Sequence, residues 1–75
     1  MNEKNIVLNS VEAAKEFVKA ASECDFDIDV YFNRIALDAK SLPGILSLDL
    51  RNQLRVCYSG ENVGFNTVLA KYAVQ

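Results

Sequence analysis

Asp27-Ile28-Asp29-Val30-Tyr31-Phe32-Asn33-Arg34-Ile35-Ala36-Leu37-Asp38 alternates as a β-hairpin must. Ile28, Val30 and Phe32 fall on one side of an extended chain, and Asp27, Asp29 and Tyr31 on the other. Asn33-Arg34 is the turn into a return strand, Ile35 to Asp38. Asparagine suits the first, left-handed position of a two-residue turn; arginine suits the second poorly, so a longer loop is the alternative. A sheet with one apolar and one polar face needs cover on one side only.

Outward toward the N-terminus, Ala14, Phe17, Val18 and Ala21 recur at helical spacing, while Glu12, Lys15, Glu16 and Lys19 take the wet side. Asn9 or Ser10 is the N-cap, with Glu12 at capping-box distance from Asn9. This helix should end near Ser22 to Cys24. Lys4 to Leu8 reads as a short strand before it.

On the other side, Ser41 caps a second helix that tolerates Pro43 in its first turn. Leu42, Ile45, Leu46, Leu48 and Leu50 cannot all face one core. Ile45 and Leu48 are expected inward, with Leu42 and Leu46 near the surface. Leu54 to Tyr58 is a further strand, broken by Ser59-Gly60. A last helix carries Phe65, Val68, Leu69 and Tyr72 as its buried stripe. The order is β-α-β-β-α-β-α, an α+β fold with an antiparallel or mixed sheet and helices on one face. Phe17, Val18, Ile28, Val30, Ile45, Leu48, Val56, Val68 and Leu69 should lie between the layers.

The 75 residues make a single domain, 1–75, too short for a second core. With 51% hydrophobic and 24% charged residues, the chain is too apolar for disorder. The net charge is −2 and the eight basic residues are scattered, so direct nucleic-acid binding is not expected. No apolar run approaches a membrane span. Cys24 and Cys57, with no leader segment, suggest a reducing cytoplasm and small core hydrophobes rather than a disulfide.

The chain has no histidine, which removes every Ser-His, Cys-His and His-metal scheme. Its three glycines are isolated, so no phosphate loop exists. Asp27 and Asp29 on a strand's polar face, and Glu12 and Glu16 on a helix surface, read as solvated charge. No enzyme, cofactor or metal site is expected.

The stretch Asp38-Ala-Lys-Ser-Leu-Pro-Gly-Ile-Leu-Ser-Leu-Asp-Leu50 resembles the second-helix region of the HPr phosphocarrier family of the bacterial sugar phosphotransferase system. Ala39, Lys40, Ser41, Gly44, Leu46, Ser47 and Leu48 match that family's pattern, and Ala14-Lys-Glu-Phe17-Val18 is similar to its first helix. The resemblance spans nearly the whole chain. It implies an HPr-like open-faced sandwich, a four-stranded antiparallel sheet with three helices on one face.

The same resemblance places Ser10 where the family carries its phosphoryl-accepting histidine, Glu12 at a phosphate-binding arginine and Ala13 at a proline. Imidazole accepts and releases phosphate readily; a serine ester does not. Glu12 adds a negative charge where a phosphate would sit. The family's phosphotransfer is therefore expected to be lost, with Ser10 left as a helix cap.

Ser41 matches the serine that an ATP-dependent HPr kinase phosphorylates in low-GC Gram-positive bacteria. There, a relative lacking the histidine acts as a corepressor in carbon catabolite control. The resemblance implies a regulatory phosphoacceptor at Ser41, with an HPr kinase and a LacI-type regulator as partners; the plain alternative is that Ser41 only caps its helix. Lys15, Lys19, Lys40, Leu42, Pro43 and Leu46 form the expected partner-binding set. Pro43 departs from the family's bulky apolar residue, and Leu42 and Leu46 read equally as packing at a helix edge. A scaffold role in assembly, without phosphorylation, is the rival reading. Oligomeric state and the sugar controlled are not legible.

Overall fold

The computed structural model describes residues 1–74. In chain order the elements are β1 (Asn2–Ile6), α1 (Val11–Ser22), β2 (Ile28–Phe32), β3 (Ile35–Asp38), α2 (Leu42–Leu46), β4 (Leu54–Tyr58) and α3 (Val63–Tyr72). The strands form one sheet in the order β1-β4-β2-β3, every pair antiparallel. The last strand in sequence is therefore inserted between the first two. That is a non-local pairing that no hydrophobic periodicity encodes.

The expected hairpin forms with the tighter of its two turns. Phe32 pairs with Ile35, so Asn33-Arg34 is a two-residue connection. Asn33 alone takes a left-handed φ of 55°, which spares Arg34 the conformation it tolerates badly.

Ile6, Ile28, Val30, Leu54, Val56 and Tyr58 alternate onto one face of the sheet and are at most 4% exposed. They join a single core cluster with Phe17 and Ala21 of α1, Ile45 of α2, and Phe65 and Leu69 of α3. All three helices thus cover that face. Glu3, Asn5, Asp29, Arg55, Ala36 and Asp38 occupy the other face and are exposed. Arg55 lies 4.9 Å above the Tyr31 ring there, sheltering an aromatic that has no helix over it. Both cysteines are free and buried: Cys24 in the core, Cys57 on the open face opposite Glu3 and Asp29.

Four expectations need correction. β1 lies at Asn2–Ile6 rather than Lys4 to Leu8: its partner β4 begins at Leu54, which pairs with Ile6, so the ladder has nothing left for Val7 and Leu8. Leu8 is nevertheless buried. Ser10, not Asn9, caps α1, and its hydroxyl accepts from the Ala13 amide, so Glu12 is one position short of a capping box. Leu42, expected near the surface together with Leu46, packs half-buried against the core, which is the edge packing that stood as its alternative. Leu48 and Val68, expected between the layers, are only half-buried at its margin.

α1 and α3 are also joined by a polar clamp. The Tyr72 hydroxyl donates to Glu16 Oε1, and Lys71 Nζ donates to both Glu16 oxygens at 3.1 and 3.3 Å. These bonds, the tyrosine's first, hold the Glu16 carboxyl below its ordinary value of 4.5. A depressed folded-state pKa contributes stability above the ordinary carboxyl range, and that contribution fades as pH falls through the folded value. Melting curves of the wild type and Glu16→Gln should therefore differ at neutral pH and converge in acid. A gap that survives well below pH 4.5 would assign the effect to packing.

Candidate functional site

Both candidate serines sit at helix N-caps, and their hydroxyls are engaged differently. Ser10 is extended (φ −154°, ψ 163°), as a cap residue should be, and its Oγ accepts from the Ala13 amide at 3.1 Å. The preceding Asn9 takes a left-handed φ of 69° and donates its amide to the Leu50 carbonyl at 2.9 Å. That bond ties the Ser10 loop to the segment after α2. The signal for it was present, because asparagine tolerates this conformation better than other side chains do. The partner was not readable, since Leu50 is distant in sequence.

Leu50 is held by a staple of its own. Arg51 is bidentate on Asp49, with Nε to Oδ1 at 3.0 Å and Nη2 to Oδ2 at 2.9 Å. Those bonds, with the Arg51 amide, hold the Asp49 carboxyl down at about 2. The guanidinium in the loop bonded to Asn9 is thus committed to Asp49. Glu12 stands in the first turn of α1, where it adds negative charge beside Ser10. A phosphate on Ser10 would meet the charge of Glu12, while the Arg51 guanidinium already answers Asp49.

Ser41 is exposed, and its Oγ accepts from the Gly44 amide only at 3.4 Å, at the weak end of hydrogen-bond geometry. Three neighbouring bonds fix the backbone around it. Ser41 N–H donates to the Asp38 carbonyl at 3.0 Å, Lys40 N–H to Asp38 Oδ1 at 2.9 Å, and Ala39 N–H to the Ile28 carbonyl at 2.9 Å. Ala39 is fully buried, which anchors the turn to the core and leaves the hydroxyl outside.

The expected partner-binding residues have distinct placements. Lys40 reaches back to α1, where its Nζ donates to the Cys24 carbonyl at 3.0 Å, closing the C-terminal end of that helix. Pro43 is exposed in the first turn of α2, Leu46 is 38% exposed, and Leu42 leans on the core. Lys15 and Lys19 are exposed on α1, which packs against α2, and neither is ion-paired among the described residues. The exposed members of the set lie on two adjoining helices, while the Lys40 ammonium is occupied.

No family model and no curated protein matches the sequence. Among solved structures, the chain is similar to HPr-C-His from Thermoanaerobacter tengcongensis, with 25% identity over 95% of this chain and 89% of that one, and a TM-score of 0.76. The fold of this chain is the HPr-like open-faced sandwich.

Proposed function

We propose that this chain is a regulatory HPr-like protein that does not carry phosphate on α1 and is marked instead at Ser41. The observation that carries the reading is the contrast between the two caps. Ser10 is hydrogen-bonded to the Ala13 amide and flanked by Glu12, in a chain with no histidine. Both serines are exposed, but Ser41 is only loosely engaged by Gly44. A kinase would transfer the γ-phosphoryl group of ATP to Ser41 Oγ, with ADP leaving and the hydroxyl proton lost. The phosphate adds roughly −2 charge. With the Lys40 ammonium engaged at the Cys24 carbonyl and Asp38 close by, the adjacent side chains do not neutralise it, so the charge stays available to a partner's arginines. The stability change should stay within about 1 kcal/mol. The chain itself is proposed to be non-catalytic and to act in the cytoplasm. Its partners are an HPr kinase, a LacI-type regulator, or both, meeting it over Lys15, Lys19, Pro43 and Leu46.

Incubation with an HPr kinase and ATP should add one phosphate, which mass spectrometry locates at Ser41 and which Ser41→Ala abolishes. Phosphoenolpyruvate and enzyme I should leave the protein unlabelled while an ordinary HPr is labelled alongside. Stoichiometric labelling from enzyme I would refute the loss of phosphotransfer. Absence of modification at Ser41 would leave the scaffold reading, which the capping bond to Gly44 favours.

A further inference from the structure

β1 is an edge strand, and it turns two polar residues, Asn2 and Lys4, toward the helical layer, where the neighbouring strands carry apolar ones. The space between β1 and α3 is a cleft of about 470 Å³, lined by Asn2, Lys4, Tyr58, Glu61, Asn66 and Leu69. The small side chains of Ala70 and Ala73 complete its wall and leave room there. Asn2 pairs with Tyr58, so Lys4 is the diagonal neighbour of that tyrosine, within reach of its long side chain.

Tyr58 is only 4% exposed, its ring held between Phe26, stacked at 6.2 Å, and Phe65, edge-on at 5.3 Å. Its hydroxyl makes no hydrogen bond to any described residue. No buried polar atom among those residues lacks a partner, so this hydroxyl is not wholly shut off from solvent, and Tyr58 is one of the residues lining the cleft. Lys4 and Glu61 bring opposite charges to the same space. Neither is ion-paired, with the other or with any described residue. Asn66 Nδ2 donates to Glu61 Oε2 at 2.9 Å, which orients the carboxylate and leaves its second oxygen open.

We propose that this cleft binds a small zwitterion with an apolar body, of the amino-acid or dipeptide class. Its carboxylate meets Lys4 and the Tyr58 hydroxyl, its ammonium meets Glu61, and its side chains lie over Leu69, Ala70 and Ala73. Opposite charges that line one space and have no ion-pair partner among the described residues are both satisfied by one such molecule. A simple anion would confront Glu61 and a simple cation Lys4. The volume falls within the range of about 300–1,000 Å³ usual for small-molecule sites.

The probe is L-leucyl-L-alanine, titrated into the ¹⁵N-labelled full chain and followed by amide chemical shifts. Saturable shifts should centre on Lys4, Tyr58, Glu61, Asn66 and Leu69, with a dissociation constant on the order of 1 mM, given the ligand's size. Lys4→Met and Glu61→Gln should each weaken binding at least about tenfold, and Tyr58→Phe by several-fold. The N-acetylated dipeptide should bind wild type more weakly but lose nothing further in Glu61→Gln; the dipeptide amide should behave likewise toward Lys4→Met. Spectra of the unliganded variants report directly that they are folded. Unsaturable shifts, or equal binding by wild type and both charge variants, would overturn the proposal and leave Lys4 as a solvated charge on β1.

Discussion

Replacing Phe65 by alanine should cost about 3–5 kcal/mol, the range for emptying a buried phenylalanine site. The ring is fully buried and meets two others, Phe17 at 5.9 Å and Tyr58 edge-on at 5.3 Å. It is where α3, α1 and β4 converge, so no single element can move to close the gap. A domain of this length has about 4–11 kcal/mol of stability in all, at the usual per-residue value. The variant should therefore sit close to unfolding at room temperature. Urea denaturation measures it, with a midpoint lowered by 1 M or more for a slope of roughly 1–3 kcal/mol/M. Val63→Ala, 83% exposed on the same helix, is the control and should change stability by no more than about 0.5 kcal/mol. A loss at Phe65 below about 1.5 kcal/mol would mean that the core repacks around a missing ring, contrary to the rigidity its contacts imply.

That convergence could be read from sequence only in part. Phe17 and Phe65 announced themselves by helical spacing, and the hairpin from Ile28 to Asp38 by strict alternation, because burial on one side of an element imposes a period. β1 carried no such signal. Its first four residues, Asn-Glu-Lys-Asn, are polar on both faces, since its inner face borders a cleft rather than the core. Long-range polar partners were equally invisible. Glu16 looked like one more charge on a wet helix face, yet Tyr72, 56 positions later, donates to it. Lys40 stood in a partner-binding pattern, but its ammonium closes the end of α1 at Cys24. At the candidate site, the two serine caps followed from local chemistry. What separates them, a 3.1 Å bond at Ser10 and a 3.4 Å one at Ser41, depends on the backbone path and needed coordinates. The family resemblance supplied a four-stranded antiparallel sheet, but the order β1-β4-β2-β3 within it had no counterpart in the sequence reading, because the pairing of β1 with β4 is long-range and leaves no periodicity.

Gly60→Ala should be the most damaging single-methyl change in the chain, and for reasons of space alone. Gly60 has no positive φ, so its backbone would accept alanine. A Cβ there would lie 2.2 Å from Phe26 Cδ1, 2.5 Å from Cγ and 2.6 Å from Cε1. These are atoms near the root and along the side of the ring, so no small swing of its tip relieves them. Phe26 must leave its place, and with it goes the ring stacked on Tyr58 at 6.2 Å. Overpacking of this kind costs about 1–3 kcal/mol. The cause can be isolated by a double-mutant cycle, because Phe26→Ala removes the obstacle in advance. Once the ring is gone, Gly60→Ala should add little, and the loss in the double variant should fall short of the sum of the two single losses by at least about 0.5 kcal/mol. Urea midpoints of the four proteins supply the cycle. Additive losses would show that Gly60 is needed for the turn after β4 itself. Strong non-additivity would show that glycine stands there so that Phe26 can keep its place against the Tyr58 ring.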